Sequence, residues 1–395
     1  MFWEMPTSPR AGRDFVQRGT RRIPSGLGQN PRRRDIHTYR PTARRSISGR
    51  VGTWGERLLS HRTTLAPTGA ITGSFFHLTP KGMATFVAKD YEILEGRYRM
   101  RRWCYRGSLH GLPDRIVIWL FVLTSDFNVS WFGYHQAYWA VKFSKALGKK
   151  SLVILGGFDV CEEEDANLPS RVDEIRYILR NAHRILAVSK RVREKALGIE
   201  PSARVDVVYH GFDAGKYRPS GEKKEVATTV AFVNRQNLRR KGLETFVRSA
   251  VFAPECEFLV VGEWLDDAID HLRSIATKNV SFPGHVSETE LIRILQGSSA
   301  YVQISAHEGF GCSLAEAMLC GCVPVVTNRG AIPEVAGDAG IYVEYDNPEG
   351  TARAIRAALT RGEPGGRAAR ERIASHFPLE KRREALLAAV AEAVP

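Results

Sequence analysis

Short apolar runs alternate along the chain with longer segments in which apolar residues recur every three or four positions. Short apolar runs are typical of buried strands, and they span residues 71–78, 128–132, 151–155, 184–188, 205–209, 228–233, 257–261, 280–282, 300–304 and 323–326. Apolar stripes at helical spacing span residues 84–94, 134–147, 170–182, 189–197, 243–251, 266–276 and 379–394. This alternation predicts mainly parallel sheets covered by helices, so the fold class is α/β. Residues 115–127 fit a helix or a strand equally well.

A polar segment at residues 214–226 divides the pattern into two halves. It is rich in glycine, lysine, proline, serine and glutamate, a composition typical of linkers. The first half opens with a strand, a glycine-containing loop and a helix, as doubly wound domains do. We therefore expect a Rossmann-like domain at residues 71–220, a second one at 221–378 and a final helix within 379–395.

The segment before residue 71 has a different composition. Residues 1–62 contain 14 arginines and four acidic residues, a net charge of +10, whereas the rest of the chain carries only +4. Because the segment also lacks any sustained period, we predict that residues 1–70 are a disordered, Arg-rich extension. It could contact nucleic acid or acidic lipid or serve as a transit peptide, but a solvated tail or a start site assigned too early is the preferred interpretation.

Cysteine spacing and apolar run lengths bear on the compartment. The longest apolar run, residues 116–123, is far shorter than the roughly 20 residues that span a bilayer, and we expect it to be a buried core segment. The N-terminus lacks the apolar core of a secretory signal. The six cysteines form no C-x-x-C pair, so we expect neither a zinc site nor a disulfide framework. These features favour a reducing, cytoplasmic location.

Residues 97–115 mix arginines with Tyr98, Trp103 and Tyr105. Basic residues interleaved with aromatic ones suit single-stranded nucleic acid or a membrane surface. A twisted strand with a solvated face is the preferred interpretation of this segment.

The stretch from His307 to Gly321 holds the chemistry that stands out. Glu308 follows a buried strand, and the glycines after it allow a tight turn whose N–H groups can approach a ligand. A helix from about Cys312 to Cys320 should follow, and its N-terminus suits a phosphate. Glu316 lies one turn into that helix and can face the same ligand as Glu308. A plain strand–turn–helix unit is the alternative interpretation.

The stretch EGFGCSLAEAMLCGCVPVV resembles the E-x7-E motif of the GT4 family of retaining glycosyltransferases, which have the GT-B architecture of two facing Rossmann-like domains with an interdomain cleft. The resemblance covers about residues 71–395. It implies that Glu308 is catalytic, contacting the hydroxyls of the transferred sugar and the developing charge, and that Glu316 binds the ribose. It also implies that the helix start and the turn before it bind the donor, through Gly309, Phe310, Gly311, Cys312 and Ser313.

Further donor contacts follow from the same resemblance. Arg235 and, six residues on, Lys241 resemble the basic pair that clamps the donor diphosphate, in a loop predicted at residues 234–242. Two cations there would offset the phosphate charges and stabilise the leaving nucleoside diphosphate. Val286 is placed against the nucleotide base. The final helix is expected to pack back on the first domain.

On the acceptor side, the candidates are Gly82, His135 and Asp159. Asp159 ends a Gly-Gly-Phe-Asp turn at the carboxyl end of a strand, where ligands collect. The family often has a histidine in that turn, and Gly156 stands in its place. A plain turn at Gly82 and a structural role for His135 are the alternatives.

The resemblance implies a hexosyltransferase (EC 2.4) that moves a sugar from a nucleotide-sugar to a glycan or lipid-linked acceptor, as in polysaccharide biosynthesis. No metal and no cofactor are expected. Peripheral contact with the inner face of the membrane is expected, whereas nucleic acid is not an expected partner. A catalytically inactive GT-B-like protein whose Arg-rich arm contacts nucleic acid or membrane is the alternative. An epimerase or a phosphorylase would share the architecture, but no pyridoxal-phosphate lysine site is found for the latter.

Overall fold

The computed structural model describes residues 71–78, 83–105, 112–161 and 168–393. The predicted disordered extension at residues 1–70 and the acceptor candidate Gly82 lie outside the described residues.

The first sheet has six parallel strands in the order β2-β1-β3-β4-β5-β6. They are β1 (Thr72–Leu78), β2 (Arg99–Tyr105), β3 (Phe127–Trp131), β4 (Lys150–Leu155), β5 (Arg184–Ala187) and β6 (Val205–Val207). The helices between them are α1 (Thr85–Glu95), α2 (Leu112–Leu123), α3 (His135–Ala146), α4 (Leu168–Asn181) and α5 (Lys190–Ile199).

The second sheet also has six parallel strands, in the order β12-β11-β10-β7-β8-β9. They are β7 (Lys224–Val230), β8 (Glu257–Val261), β9 (Val280–Gly284), β10 (Ser298–Gln303), β11 (Val323–Thr327) and β12 (Ile341–Val343). The α-helices of this half are α6 (Arg235–Arg240), α7 (Leu243–Ser249), α8 (Ala268–Ile275), α9 (Glu288–Gly297), α10 (Cys312–Leu319), α11 (Ile332–Ala336), α12 (Pro348–His376) and α13 (Leu379–Ala391). The two sheets confirm the predicted α/β class and the pair of Rossmann-like domains.

Two segments depart from the sequence interpretation. The ambiguous residues 115–127 form most of α2 and the start of β3, because Ile118 and Val122 recur at helical spacing and pack on Phe76 of the sheet. The loop predicted at residues 234–242 contains the short helix α6. Asn234 caps this helix, since its side-chain oxygen accepts a hydrogen bond from the N–H of Asn237 at 2.7 Å.

The C-terminal helix α13 packs on α1 of the first half. Arg382 of α13 donates to Asp90 of α1 from Nε at 3.0 Å, and both side chains are buried. Asp90 also accepts a hydrogen bond from the indole of Trp131 at 2.9 Å. Since removing one partner of a buried ion pair costs about 3–5 kcal/mol, this contact fixes where α1 stands beside the second half of the chain.

Candidate active site

The second sheet has a topological switch point between β7 and β10. These strands are hydrogen-bonded neighbours, although β8 and β9 continue from β7 on one side and β11 and β12 from β10 on the other. In open α/β sheets, ligands bind at the carboxyl ends of strands at such a point. The chain leaving β7 enters α6, and the chain leaving β10 carries the two-glutamate stretch, so sheet topology brings these two segments together.

Lys241 and Glu308 form a buried ion pair at this point. The hydroxyl of Ser305 also donates to the Glu308 carboxylate, at 2.9 Å. Burial by itself would raise the pKa of Glu308, but the positive charges of Lys241 and Arg240 outweigh it and hold the pKa below its usual value. Glu308 is therefore ionised at neutral pH, ready to accept hydrogen bonds.

Arg240 is a cation of this site that sequence reasoning missed. Its guanidinium is buried, donates to Asn237 Oδ1 from Nε and Nη2 at 3.1 and 2.7 Å, and lies 4.8 Å from the ring centroid of Phe158 in the first half. Its Nη1 is buried and has no hydrogen-bond partner in the part of the chain that the structure describes. The run Arg239-Arg240-Lys241 was visible in the sequence, but only α6 decides which arginine points inward.

Arg235 lies elsewhere. It is the first residue of α6, its side chain is 74% exposed, and its guanidinium pairs with Asp267, with Nε to Oδ1 at 2.7 Å. Side-chain hydrogen bonding to Asp267 raises the pKa of Arg235 and lowers that of Asp267. The predicted pair of Arg235 and Lys241 is thus separated in this structure, with Lys241 inside and Arg235 outside.

Helix α10 starts at Cys312, directly after a glycine turn. Gly311 is its N-cap with φ of 104°, a conformation that favours glycine. Among the described residues no side chain caps this end, which leaves the first N–H groups of the helix available to an anionic ligand. Burial raises the pKa of the Cys312 thiol to about 12, and the negative charges of Glu316 and Glu308 raise it in the same direction.

Glu316 faces a cavity of about 180 Å³ formed by residues of both halves. The donor-site candidates that line this cavity are Val286, Cys312, Ser313 and Glu316. Glu316 accepts a hydrogen bond from the hydroxyl of Tyr217 at 3.0 Å, and Tyr217 also lies 3.2 Å from Glu288. Burial raises the pKa of Glu316 above its usual value.

Two other residues of this cavity were missed by sequence reasoning. Lys89 of α1 reaches the cavity from the first half, with its Nζ 5.6 Å from the ring centroids of Phe212 and Tyr217. Tyr217 comes from the segment expected to be a plain linker. No local pattern marks either residue, because their roles depend on how the two halves meet.

Gly309 forms a contact between the two halves. A Cβ on Gly309 would collide with the carbonyl oxygen of Gly156, and a Cβ on Gly156 would collide with the ring of Phe132. The turn that carries a histidine in the resembling family is therefore held by backbone packing here, and a side chain at position 156 has no room.

Phe310 is buried in an aromatic cluster instead of facing the cavity. Its ring centroid lies 5.1 Å from that of His210, 5.9 Å from that of Phe212 and 5.4 Å from that of Phe377. Only the backbone of Phe310 is left to approach a ligand.

The two described acceptor candidates lie in the first half, and both side chains form hydrogen bonds within it. Asp159 is buried and accepts hydrogen bonds from the N–H groups of Gly133 at 2.8 Å and Gly157 at 2.9 Å. Burial nonetheless raises its pKa. His135 Nδ1 lies 2.9 Å from Glu174, and its Nε2 accepts a hydrogen bond from Trp139 at 2.9 Å. Neither side chain lines the cavity at Glu316.

The family match to known proteins lies in the second half of the chain. Residues 227–361 match the family described as glycosyl transferases group 1. The chain is 31% identical over 98 residues to the O-antigen chain mannosyltransferase B of Escherichia coli, covering 24% of this chain and 26% of that protein. It is 23% identical over 184 residues to the GDP-mannose:cellobiosyl-diphosphopolyprenol alpha-mannosyltransferase of Xanthomonas campestris, covering 44% and 48% respectively. The matches thus span about half the length of these relatives or less.

Solved structures share the whole two-domain architecture. The Anabaena protein Alr3699/HepE, solved with UDP and glucose, superposes with a TM-score of 0.69 at 16% identity, over 81% of this chain and 99% of that one. Sucrose-phosphate synthase of Thermosynechococcus elongatus gives a TM-score of 0.67 at 16% identity, over 82% and 98%. At these identities the likeness shows the fold, which is the GT-B fold expected from the sequence.

Proposed function

We propose that the chain is a retaining hexosyltransferase, because residues 227–361 match the family described as glycosyl transferases group 1. It moves a sugar from a nucleotide-sugar to a glycan or lipid-linked acceptor. The second half holds the donor, and the first half holds the acceptor.

The observation that supports this most is the placement of the two glutamates around the N-terminus of α10. Glu308 is ionised and held by Lys241 and Ser305, whereas Glu316 lines the cavity beside Val286. A nucleotide in that cavity places its ribose hydroxyls on Glu316, its diphosphate at the N–H groups of α10 and its sugar near Glu308. Carboxylates accept hydrogen bonds from sugar hydroxyls, and a helix N-terminus favours phosphate.

Positive charge stabilises the leaving group in this proposal. Lys241, Arg240 and the start of α10 surround the space where charge develops on the diphosphate, and a preorganised set of donors of this kind lowers the barrier. The bond from C1 to the phosphate oxygen breaks as C1 bonds to the acceptor hydroxyl on the same face. The hydroxyl proton goes to the departing phosphate oxygen, so neither a protein nucleophile nor a metal or cofactor is needed.

The ion pair between Lys241 and Glu308 has a role in donor entry. Without donor, it neutralises two buried charges. A bound diphosphate competes for Lys241 and frees Glu308 to accept hydrogen bonds from the sugar. Donor binding thereby switches on the catalytic carboxylate.

Several relatives suggest the acceptor class. The Xanthomonas campestris protein is named for a diphosphopolyprenol acceptor and the Escherichia coli protein for an O-antigen chain. We propose an acceptor of that lipid-linked or glycan class and a cytoplasmic location at the inner face of the membrane. None of the described helices has the length and apolar content needed to cross a bilayer.

The test is a panel of UDP-, GDP- and ADP-sugars offered to the full chain, with thermal shift and slow donor hydrolysis as readouts. Glu308→Gln should lower turnover about 10²–10³-fold, as removal of one preorganised stabilising group does in other sites. It also leaves the buried Lys241 ammonium without its ion-pair partner, so Tm should fall, and turnover is compared well below the Tm of the variant. Glu363→Gln on the exposed part of α12 is the matched control and should behave as wild type. Hydrolysis should persist in EDTA.

Two outcomes would contradict the proposal. Wild-type turnover in Glu308→Gln would remove Glu308 from the reaction. A thermal shift with a donor but no turnover, with or without acceptor lipid, would favour the non-catalytic binding protein.

A further inference from the structure

Helix α2 exposes a continuous apolar face. Its largest exposed side chains are Ile116, Trp119, Leu120 and Leu123, which are 52%, 40%, 45% and 40% exposed. Their spacing of three, four and seven positions places them on one side of the helix, and we call them the α2 apolar stripe. The opposite side, with Ile118 and Val122, is buried on the sheet and on α3. Soluble proteins rarely leave such a stripe uncovered.

The stripe lies in the most basic part of the folded chain. Residues 97–150 contain ten lysines and arginines and only two acidic residues, a net charge of +8. All residues from 63 onward together carry only +4, so the remainder is net acidic. Positive charge is thus concentrated around α2.

The structure places these cations beside the stripe. Arg101 of the edge strand β2 donates to the carbonyl oxygens of Phe121 and Thr124, at 3.3 and 3.1 Å, where α2 ends. Arg99 is exposed on the same face of β2 as Arg101, and Arg97 is exposed just before the strand, whereas Arg102 points to the opposite face, 5.5 Å from the ring centroid of Tyr91 in α1. On the other side, α3 packs against α2 and exposes Lys142, whose Nζ lies 5.0 Å from the ring centroid of Trp139. Lys145 of α3 instead donates to Asn181 of α4.

We propose that the α2 apolar stripe docks this protein on an anionic phospholipid surface. Aliphatic side chains with a tryptophan enter the boundary between head groups and acyl chains, and flanking lysines and arginines attract the anionic head groups. The first half of the chain, which would hold the acceptor, then lies against the bilayer. This inference concerns a surface and does not depend on the proposed activity.

Charge also argues against other occupants. A second copy would bring two of these basic segments together, and the N-terminal extension carries a net charge of +10, so repulsion between like charges disfavours both. Nucleic acid would satisfy the arginines, but it offers nothing to Ile116, Leu120 and Leu123, which cannot stack on bases as aromatic rings do.

The experiment compares vesicle flotation of the full chain with equal parts phosphatidylglycerol and phosphatidylcholine against phosphatidylcholine alone. Binding should need the anionic lipid. Trp119→Glu/Leu120→Glu should lower the vesicle partition coefficient at least about tenfold, because two apolar anchors are replaced by negative side chains that the negatively charged lipid repels. Val251→Glu/Phe252→Glu is the matched control, since it changes two exposed apolar residues of the other half, and it should bind as wild type. Thermal unfolding of both variants checks that they fold.

A second readout separates insertion from attraction of the Arg-rich extension. Brominated acyl chains should quench tryptophan fluorescence of the wild type, and Trp119→Phe should lose that quenching while still floating. Trp3 and Trp54 of the extension are unchanged in this comparison. Unchanged flotation of Trp119→Glu/Leu120→Glu, equal quenching in Trp119→Phe, or a wild-type dimer that the double substitution dissociates would each overturn the proposal.

Discussion

Replacing Lys241 by methionine should destabilise the second half of the chain and reverse the effect of acid on its stability. Methionine is one atom shorter than lysine and keeps most of its apolar stem but removes its charge, which leaves the Glu308 carboxylate buried without its main partner. Breaking a buried pair in this way costs about 3–5 kcal/mol. Ser305 still donates to Glu308 and Arg240 still contributes charge, so we expect the free energy of unfolding to fall by about 3 kcal/mol. At roughly 2–4 °C per kcal/mol, Tm should fall by about 6–12 °C.

The sign of the pH dependence follows from the pKa of Glu308. In the wild type this pKa is lowered, so the contribution of Glu308 to stability is present above its unfolded pKa of about 4.3 and is lost as the pH falls through the lower folded value. Without Lys241, burial raises the pKa above that of the unfolded chain. The variant then gains stability on acidification, so its deficit should shrink between neutral pH and pH of about 5.

Thermal and urea unfolding followed by circular dichroism at the two pH values measure both effects. Lys241→Met/Glu308→Gln should recover much of the loss, since the buried charge is gone. Arg235→Met, in an exposed pair, should leave stability unchanged. An equal deficit at both pH values, together with no recovery in the double variant, would refute the reasoning and assign the loss to packing.

Two further predictions concern the donor site and the contact between the halves. Burial raises the pKa of Glu316, and only its ionised form accepts from both ribose hydroxyls, so nucleoside diphosphate affinity should fall as the pH drops through that raised value. Glu316→Gln should bind more weakly at neutral pH and lose this dependence, as calorimetry can show. Gly309→Ala should lower kcat at least about tenfold with Tm nearly unchanged, because its methyl collides with the carbonyl of Gly156 and holds the halves apart. Gly198→Ala, where the added methyl has no heavy atom within 4 Å, is the control, and equal kinetics of the two variants would contradict a role of the Gly309–Gly156 contact in turnover.

Local pattern was enough to predict most of the fold. Apolar runs and helical stripes are short-range consequences of burial, so strands such as β4 and β8 and helices such as α10 lie where the sequence placed them. The pattern failed where two signals overlapped. Residues 115–127 hold a helix and a strand with only a short turn between them, and the basic segment before Gly242 folds into α6 because Asn234 caps it.

The sequence by itself determined the chemistry of the central stretch. Two glutamates, a glycine turn and a helix start are encoded within Glu308–Glu316, and the resemblance they carry agrees with the family match at residues 227–361. What it could not determine is which distant residues meet them. The positions of Arg240, Lys89 and Tyr217 depend on sheet order and on the contact between the halves.

The tertiary structure alone decided the electrostatics and the surfaces. Glu308 is ionised because β7 and β10 are neighbours and bring Lys241 to it, although 67 residues separate the two in the chain. The apolar run of α2 was expected in the core, and packing against α3 and the sheet buried only one side of it. A periodic pattern states that a face is apolar, whereas only the assembled fold determines what covers that face.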